Sequence, residues 1–384
     1  RLSDPDTQEE IDRALVVWFP GPASFTGEDV AEFHIHGGSA VIAALLGALG
    51  RFAAFRLAEP GEFSRRAFEN GKLDLTEVEG LIDLIDAETG AQRRQALRQI
   101  GGQFARVTTA WSGRLVRALA HLEAAIDFSE EELPRDLVAS VAAEAIRLSE
   151  EIRGHLADDR RGEILRDGLS VALVGPPNSG KSSLLNLLAG REAAIVAATA
   201  GTTRDVIEVH LELGGYPVIL ADTAGIHETV DAVEQEGIRR ARARAESADI
   251  ALIILDSLDP VSRETDYAAG NVLTVWNKID LAPPPPGAIG VSARTGAGIE
   301  RLIALLTERV EQRLGGASPL VTRLRHREAL TECAAALIRS SQAQEEALIA
   351  EDLRLALRAL GRITGKIDVE DLLDVIFRDF CIGK

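Results

Sequence analysis

The stretch Gly175-Pro-Pro-Asn-Ser-Gly180-Lys181-Ser182 constrains the fold more than any other part of the chain. It reads G-x-x-x-x-G-K-S. The apolar run Leu169-Ser-Val-Ala-Leu-Val174 precedes it, and Ser183-Leu-Leu-Asn-Leu-Leu-Ala189, a good helix former, follows. Strand, glycine loop and helix in that order form the setting in which such a loop cradles phosphate. The glycines let backbone N–H groups turn inward onto phosphate oxygens, and the helix N-terminus adds partial positive charge. Lys181 is expected to reach the β- and γ-phosphates, and the Ser182 hydroxyl to hold Mg²⁺. Gly175, Ser179, Gly180 and Ser183 complete the expected cradle. The competing reading is a glycine-rich turn that binds nothing, and the flanking strand and helix weigh against it.

At 384 residues the chain is too long for one typical domain, so two or three are expected. Its net charge of −18 argues against wrapping nucleic acid by bulk electrostatics, so any RNA contact needs a local basic patch or a partner. Two cysteines, Cys333 and Cys381, make no disulfide framework and suit a reducing compartment. No apolar run of spanning length occurs, so a soluble, cytoplasmic protein without membrane contact is expected. The chain begins at Arg1 and contains no methionine. Omitted residues and a shortened N-terminus are therefore expected.

Residues 1–70 read as a small α+β domain. Ala14 to Phe19 is strand-like, Val30 to His36 alternates as a half-buried strand does, and Ser39 to Phe52 suits a helix. From Leu73 the period changes: Leu75, Val78, Leu81, Ile82 and Ile85 recur at helical spacing, continuing through Leu97, Ile100, Phe104, Leu115, Leu119 and Leu122. Further helices are expected over Leu137 to Leu156, Leu320 to Leu348, Glu351 to Ile363 and Asp368 to Phe380. Between these blocks, strands and helices alternate. The expected architecture is an α/β P-loop domain of the Ras-like GTPase class (167–314) inserted into an all-α domain (71–166 and 315–384). The small α+β domain (1–70) precedes both.

Base choice is read from two later motifs. Asp222-Thr-Ala-Gly225 follows a strand, as D-x-x-G does where the Asp orders a magnesium shell and the Gly moves with the γ-phosphate. Asn277-Lys278-Ile279-Asp280 is N-K-x-D, whose carboxylate accepts two hydrogen bonds from a guanine edge that adenine cannot supply. Ser292-Ala293 suits the loop closing over the base oxygen. Each motif alone is weak. In this order after the phosphate loop they point to GTP. Gly201-Thr202-Thr203-Arg204-Asp205 lies where a first switch belongs, with Thr203 expected on Mg²⁺ and Thr202 the alternate. A plain β-turn edge is the other reading. Ile226 stands where a Ras-like enzyme has its water-orienting Gln, so that role must be filled from elsewhere.

Gly-Thr-Thr-Arg-Asp, Asp-Thr-Ala-Gly-Ile, the interrupted helical domain and the terminal Phe380-Cys381-Ile382-Gly383-Lys384 together resemble the MnmE (TrmE) family of tRNA modification GTPases. Pro20 to Asp29, Pro60 to Phe68 and Gly71 to Leu75 are similar to the family's N-terminal half, and the likeness runs from Arg1 to Lys384. The resemblance implies work with an FAD-containing partner, MnmG, in a heterotetramer. The implied reaction adds an aminomethyl or carboxymethylaminomethyl group at carbon 5 of a tRNA wobble uridine, using 5,10-methylenetetrahydrofolate as one-carbon donor. It also implies a homodimer through the N-terminal domain and transient, K⁺-dependent pairing of G domains that triggers hydrolysis. Asn178 matches the family's potassium ligand. Glu234 matches the acid that positions the attacking water, which without the likeness would read as an exposed helix residue. Glu32 and Lys72 match folate-associated positions, with His34, His36 and Arg65 in neighbouring matched segments. Taken alone, His34 and His36 would suggest either metal ligands or solvent-facing side chains, and Lys72 a surface lysine. Cys381 fits a prenylation box poorly, and the family places a thiol tail near the one-carbon site. Whether it acts as a nucleophile depends on a lowered pKa. His227 departs from the family's usual arginine. Two further readings are a regulatory GTP-binding module and a ribosome-assembly GTPase. The latter class usually carries a basic RNA-binding domain, which this acidic chain lacks.

Overall fold

The computed structural model describes residues 1–127, 137–191, 194–195, 208–222, 243, 246–259, 271–316, 319–367 and 376–377. The chain divides into two compact units. The first comprises Arg1–Ile85, Leu97–Arg153 and Arg325–Lys384, and the second Asp86–Ala96 and Gly154–Leu324. The chain therefore leaves the first unit twice, once for eleven residues and once for the nucleotide-binding region.

The first unit opens with two antiparallel pairs, β1 (Leu2–Ser3) with β2 (Glu10–Asp12) and β3 (Leu15–Phe19) with β4 (Val30–His34). Helix α1 (Ser39–Leu49) and the short α2 (Glu62–Glu69) follow. The expected strand to His36 stops at His34. His36 instead donates its backbone N–H to Asp12 Oδ2 and places its ring Nδ1 against Asp12 Oδ1, at 2.8 Å each, which turns the chain out of the ladder. The expected helix to Phe52 ends at Leu49, where Gly50 closes the last turn onto the Leu46 carbonyl.

The run of helical periodicity beginning at Leu75 proves to be three helices, α3 (Leu75–Ile85), α4 (Gly90–Ile100) and α5 (Gln103–Asp127). Reciprocal caps explain where two of them start. The Asp74 carboxylate accepts the Glu77 N–H at 3.1 Å while the Glu77 carboxylate accepts the Asp74 N–H at 2.8 Å. Thr89 and Gln92 do the same for α4. Phe104, Trp111, Leu115 and Leu122 bury one stripe of α5. That stripe packs along α11 (Glu346–Thr364), whose buried Ile349, Leu353, Ala356, Leu360 and Ile363 share one face. Helix α6 (Leu137–Leu156) is tied to α5 by Arg114, which bonds both Glu144 and Glu151, and by the Trp111 indole on Glu151. The expected single helix over 320–348 starts at Leu324, as α10 (Leu324–Gln342), and breaks before α11 at Ala343 to Glu345.

Deep in this unit Glu79 of α3 meets the start of α10. Arg325 grips its carboxylate with Nε and Nη2, each at 2.6 Å, and His326 Nε2 lies 3.0 Å away. Glu79 is 1% and His326 0% exposed. Arg325 also donates to the carbonyls of Arg362 and Ile363 at 3.1 Å, capping the last turn of α11 with positive charge. The His326 ring stands edge-on to Phe104, 5.0 Å between centroids.

The second unit is built on a six-stranded sheet of order β10-β9-β8-β5-β7-β6. Its members are β5 (Leu169–Val174), β6 (Glu208–Leu213), β7 (Tyr216–Asp222), β8 (Ile250–Asp256), β9 (Val272–Asn277) and β10 (Ile289–Gly290). All neighbours are parallel except β6 with β7. Central parallel strands are buried on both faces, which is why β5 and β8 read as largely apolar runs, broken only by Ser170 in β5 and the terminal Asp256 of β8. Helices α8 (Lys181–Ala189) and α9 (Ile299–Leu314) supply Leu184, Leu188, Leu302, Leu306 and Val310 to the core around β5 and β7. The Asp86–Ala96 segment joins this unit through Gln92 on the Arg166 carbonyl, Gln95 on the Gly162 carbonyl, Ala91 N–H on the Gly215 carbonyl and Glu88 on His210. Gly162 belongs to the short α7 (Arg161–Asp167), which leads into β5.

Candidate functional site: a phosphate loop and a base-recognition loop

The loop between β5 and α8 rests directly on the next strand. At Gly175 φ is +151°, and a Cβ there would fall 2.2 Å from the Ile254 carbonyl oxygen. At Gly180 φ is +92°, and a Cβ would fall 2.2 Å from Asn277 Nδ2. Both positions accept only glycine, for backbone conformation and for space. Asn178 is also left-handed at φ +61°. Lys181 is buried and donates to the carbonyls of Gly175 and Pro176 at 2.9 Å, so its ammonium is wrapped by the loop. Burial pulls its pKa down, against the nearby Asp222 charge, which raises it. The Ser179 hydroxyl is fully buried with no hydrogen-bond partner among the described residues. Such an orphaned donor in a glycine cradle fits a phosphate oxygen.

Ser182 Oγ donates to Asp222 Oδ2 at 2.6 Å, joining the start of α8 to the end of β7. The pair presents hard oxygen donors suited to Mg²⁺. Asn277, 1% exposed, links three loops. Its amide donates to the Ser179 carbonyl at 2.8 Å, and its oxygen accepts the Ala293 N–H at 3.0 Å. Asp280 accepts the Ser292 hydroxyl at 2.6 Å and the Arg294 guanidinium at 2.8 Å. The Ser292 hydrogen bond first, opposed by desolvation and reinforced by Arg294, holds its carboxyl below the usual range. The structure thus brings together the expected Gly175, Asn178, Ser179, Gly180, Lys181, Ser182, Ser183, Asp222, Asn277, Lys278, Asp280, Ser292 and Ala293 around one end of the parallel sheet. Thr202, Thr203, Gly225, Ile226, His227, Glu234 and Cys381 lie outside the described residues. Arg294 and Asp256 carry no sequence motif of their own, yet each forms an ion pair with a member of the N-K-x-D loop.

In the other unit, Glu32 on β4 and Lys72 are both exposed. Glu32 Oε2 lies 3.2 Å from His34 Nε2, and Lys72 Nζ donates to the Pro22 carbonyl at 2.8 Å. These polar groups have their own partners and do not bond each other. Cys333 is buried, and burial pushes its thiol up to about 12, which leaves it no nucleophilic role at neutral pH. Among the described residues no helix is long and apolar enough to cross a membrane.

A glycine loop with a wrapped lysine, a Ser–Asp pair beside it and an Asn–Asp base loop at the same sheet end define a P-loop GTPase domain, here inserted into a helical domain. Sequence comparison narrows the class. The MnmE helical domain profile matches residues 75–381, and that of the GTP-binding protein TrmE N-terminus matches residues 1–72. The tRNA modification GTPase MnmE of Parvibaculum lavamentivorans is 60% identical over 391 residues, covering 100% of this chain and 89% of that protein. The protein of the same name from Rhodospirillum rubrum is 56% identical over 390 residues, covering 98% and 85%. The mitochondrial 5-taurinomethyluridine-[tRNA] synthase subunit GTPB3 of Danio rerio is 49% identical over 420 residues, covering 100% and 84%. The chain belongs to the MnmE (TrmE) family of tRNA modification GTPases. Among solved structures, the G domain of the T. maritima FeoB iron transporter aligns over 38% of this chain and 98% of that one at 25% identity, with a TM-score of 0.27.

Proposed function

We propose that this GTPase works on tRNA in the cytoplasm with an FAD-containing MnmG-type partner, adding an aminomethyl or carboxymethylaminomethyl group to carbon 5 of the wobble uridine. The observation that carries the nucleotide half of this reading is the junction of Lys181, Ser182, Asp222 and Asn277 at one end of the sheet. Gly175, Asn178, Ser179, Gly180, Lys181, Ser182 and Ser183 would cradle the phosphates. Lys181 would exchange its two carbonyl contacts for phosphate oxygens. Ser182, Asp222 and Thr203 would hold Mg²⁺, with Thr202 the alternate, and Asn178 would hold K⁺. These cations would supply the positive charge that an arginine finger gives elsewhere. Gly225 would respond to the γ-phosphate, and Glu234 would orient the attacking water in place of the glutamine that Ile226 displaces. Asn277, Lys278, Asp280, Ser292 and Ala293 would read the guanine base.

The tRNA half rests on the relatives. The zebrafish protein's name describes a subunit of a synthase that makes a 5-substituted uridine in tRNA. That supports both carbon 5 and a partner subunit. Glu32 and Lys72 are exposed polar groups of a kind that suits a folate donor, which supplies the one-carbon unit. Cys381 would act near that site. The domain limits follow the same reading, with 1–70 for folate and homodimerisation, 71–166 and 315–384 helical, and 167–314 the G domain, which pairs transiently with its copy.

The test is GTP turnover in K⁺ against Na⁺ with Glu234→Ala alongside. The unaltered protein should turn over faster in K⁺. Glu234→Ala should bind GTP normally and lose at least about 100-fold of the K⁺-stimulated rate, the usual scale for a proton-handling side chain. Equal turnover in both salts would remove the role given to Asn178, and an undiminished rate in the variant would remove that of Glu234.

A further inference from the structure

Two ion pairs flank the base-recognition loop, and neither belongs to its four-residue motif. Lys278, left-handed at φ +65°, places Nζ 2.5 Å from Asp256 Oδ2 at the end of β8. The Asp256 Oδ1 atom is fixed in turn by the Leu258 N–H at 2.9 Å. On the far side, Asp280 Oδ1 accepts Ser292 Oγ at 2.6 Å, and Oδ2 accepts Arg294 Nη2 at 2.8 Å. The Asp280 side chain is 12% exposed and Arg294 75%. Arg294 is thus an exposed brace lying over the carboxylate.

An ionised carboxylate has about four acceptor positions, two on each oxygen. Ser292 on one oxygen and Arg294 on the other, with the residue's own N–H beside them, fix the plane of the group. Two adjacent acceptor positions in a fixed plane are what the N1–H and 2-amino donors of guanine require. A carboxylate held only by Ser292 would keep the same charge but could rotate about its last bond.

We infer that Arg294 is a positioning residue for base recognition, setting the Asp280 carboxylate for the guanine edge, and that Asp256 does the corresponding work for Lys278. The inference rests on Asp280 being the guanine acceptor. Lys278 would lay its stem along the base face, a contact indifferent to the substituent at carbon 2. The two braces therefore carry different signatures.

The experiment measures dissociation constants of GDP and inosine diphosphate, which lacks the 2-amino group, by calorimetry on the full chain. Arg294→Gln should weaken GDP about fivefold, the scale of one exposed charge-assisted contact, and inosine diphosphate less. The ratio between the two ligands should therefore shrink. Arg294→Lys should recover part of it. Asp256→Asn should weaken both ligands by the same factor. An equal loss for both ligands in Arg294→Gln, no loss, or tighter GDP binding would each overturn the role of Arg294. Unequal losses in Asp256→Asn would overturn that of Asp256. Asp280→Asn tests the underlying reading separately: an amide can donate to the 2-oxo group of xanthosine diphosphate, so preference should move to that ligand. Failure of that shift would remove the guanine assignment itself, whatever Arg294 does.

Discussion

Glu79→Ala is expected to destabilise the helical unit by about 3 kcal/mol, because it leaves a half-buried guanidinium without its counter-charge and removes the partner of a buried imidazole. Arg325 would keep only the two carbonyls at the end of α11, and His326 would lose the carboxylate 3.0 Å from its Nε2. The pH dependence follows from the same site. Burial alone would raise the Glu79 carboxyl, but the charges of His326 and Arg325 and their hydrogen bonds outweigh it and hold the group well below the usual carboxylate range. A carboxyl depressed in the folded state gives stability that is complete above its unfolded value, 4.5, and is lost as pH falls through the folded one. Urea unfolding followed by helical circular dichroism should show the unaltered protein weakening below about pH 4.5 more steeply than Glu79→Gln. Parallel pH curves for the two would remove the ion cluster from the stability of this unit.

Asn277→Ala is expected to damage the G domain twice. The side chain is buried, and its loss leaves the Ser179 carbonyl and the Ala293 N–H without partners, at about 1–3 kcal/mol each. The same change frees the phosphate loop from the base loop, so GTP affinity should drop by at least about tenfold, the equivalent of 1.4 kcal/mol. Asn277→Asp keeps the volume and the acceptor but puts a carboxylate against the Ser179 carbonyl, so it should weaken GTP binding as well. A variant with unchanged melting and unchanged nucleotide titration would show that the three loops hold their places without this amide.

Much of the G domain was legible because its signals are local. A buried parallel strand is largely apolar, so β5, β8 and β9 each declare themselves, and β5 and β9 end at a motif residue or just before one. The helical unit was less legible. Its apolar period runs past the breaks at 86–89 and 343–345, and only the Thr89–Gln92 cap and a short polar run mark them. Helix α2 was missed because eight residues with few apolar positions give no period to read. What no local pattern could give is partnership across distance. Glu79 reads as an ordinary acid on a helix, and its partners stand 246 and 247 residues further along. Arg294 sits two residues beyond Ser292 in a loop whose sequence says nothing of Asp280.

The excursion of Asp86–Ala96 has a practical consequence for anyone wishing to excise the G domain. A fragment cut from Gly154 to Leu324 would leave behind the amides of Gln92 and Gln95, the Ala91 N–H and the Glu88 carboxylate. Raw ends would then be left at the Arg166 and Gly162 carbonyls and along one margin of the sheet at His210 and Gly215. A transplantable version would need those eleven residues grafted back, for instance through a circularly rearranged chain, before its behaviour could stand for that of the domain in place.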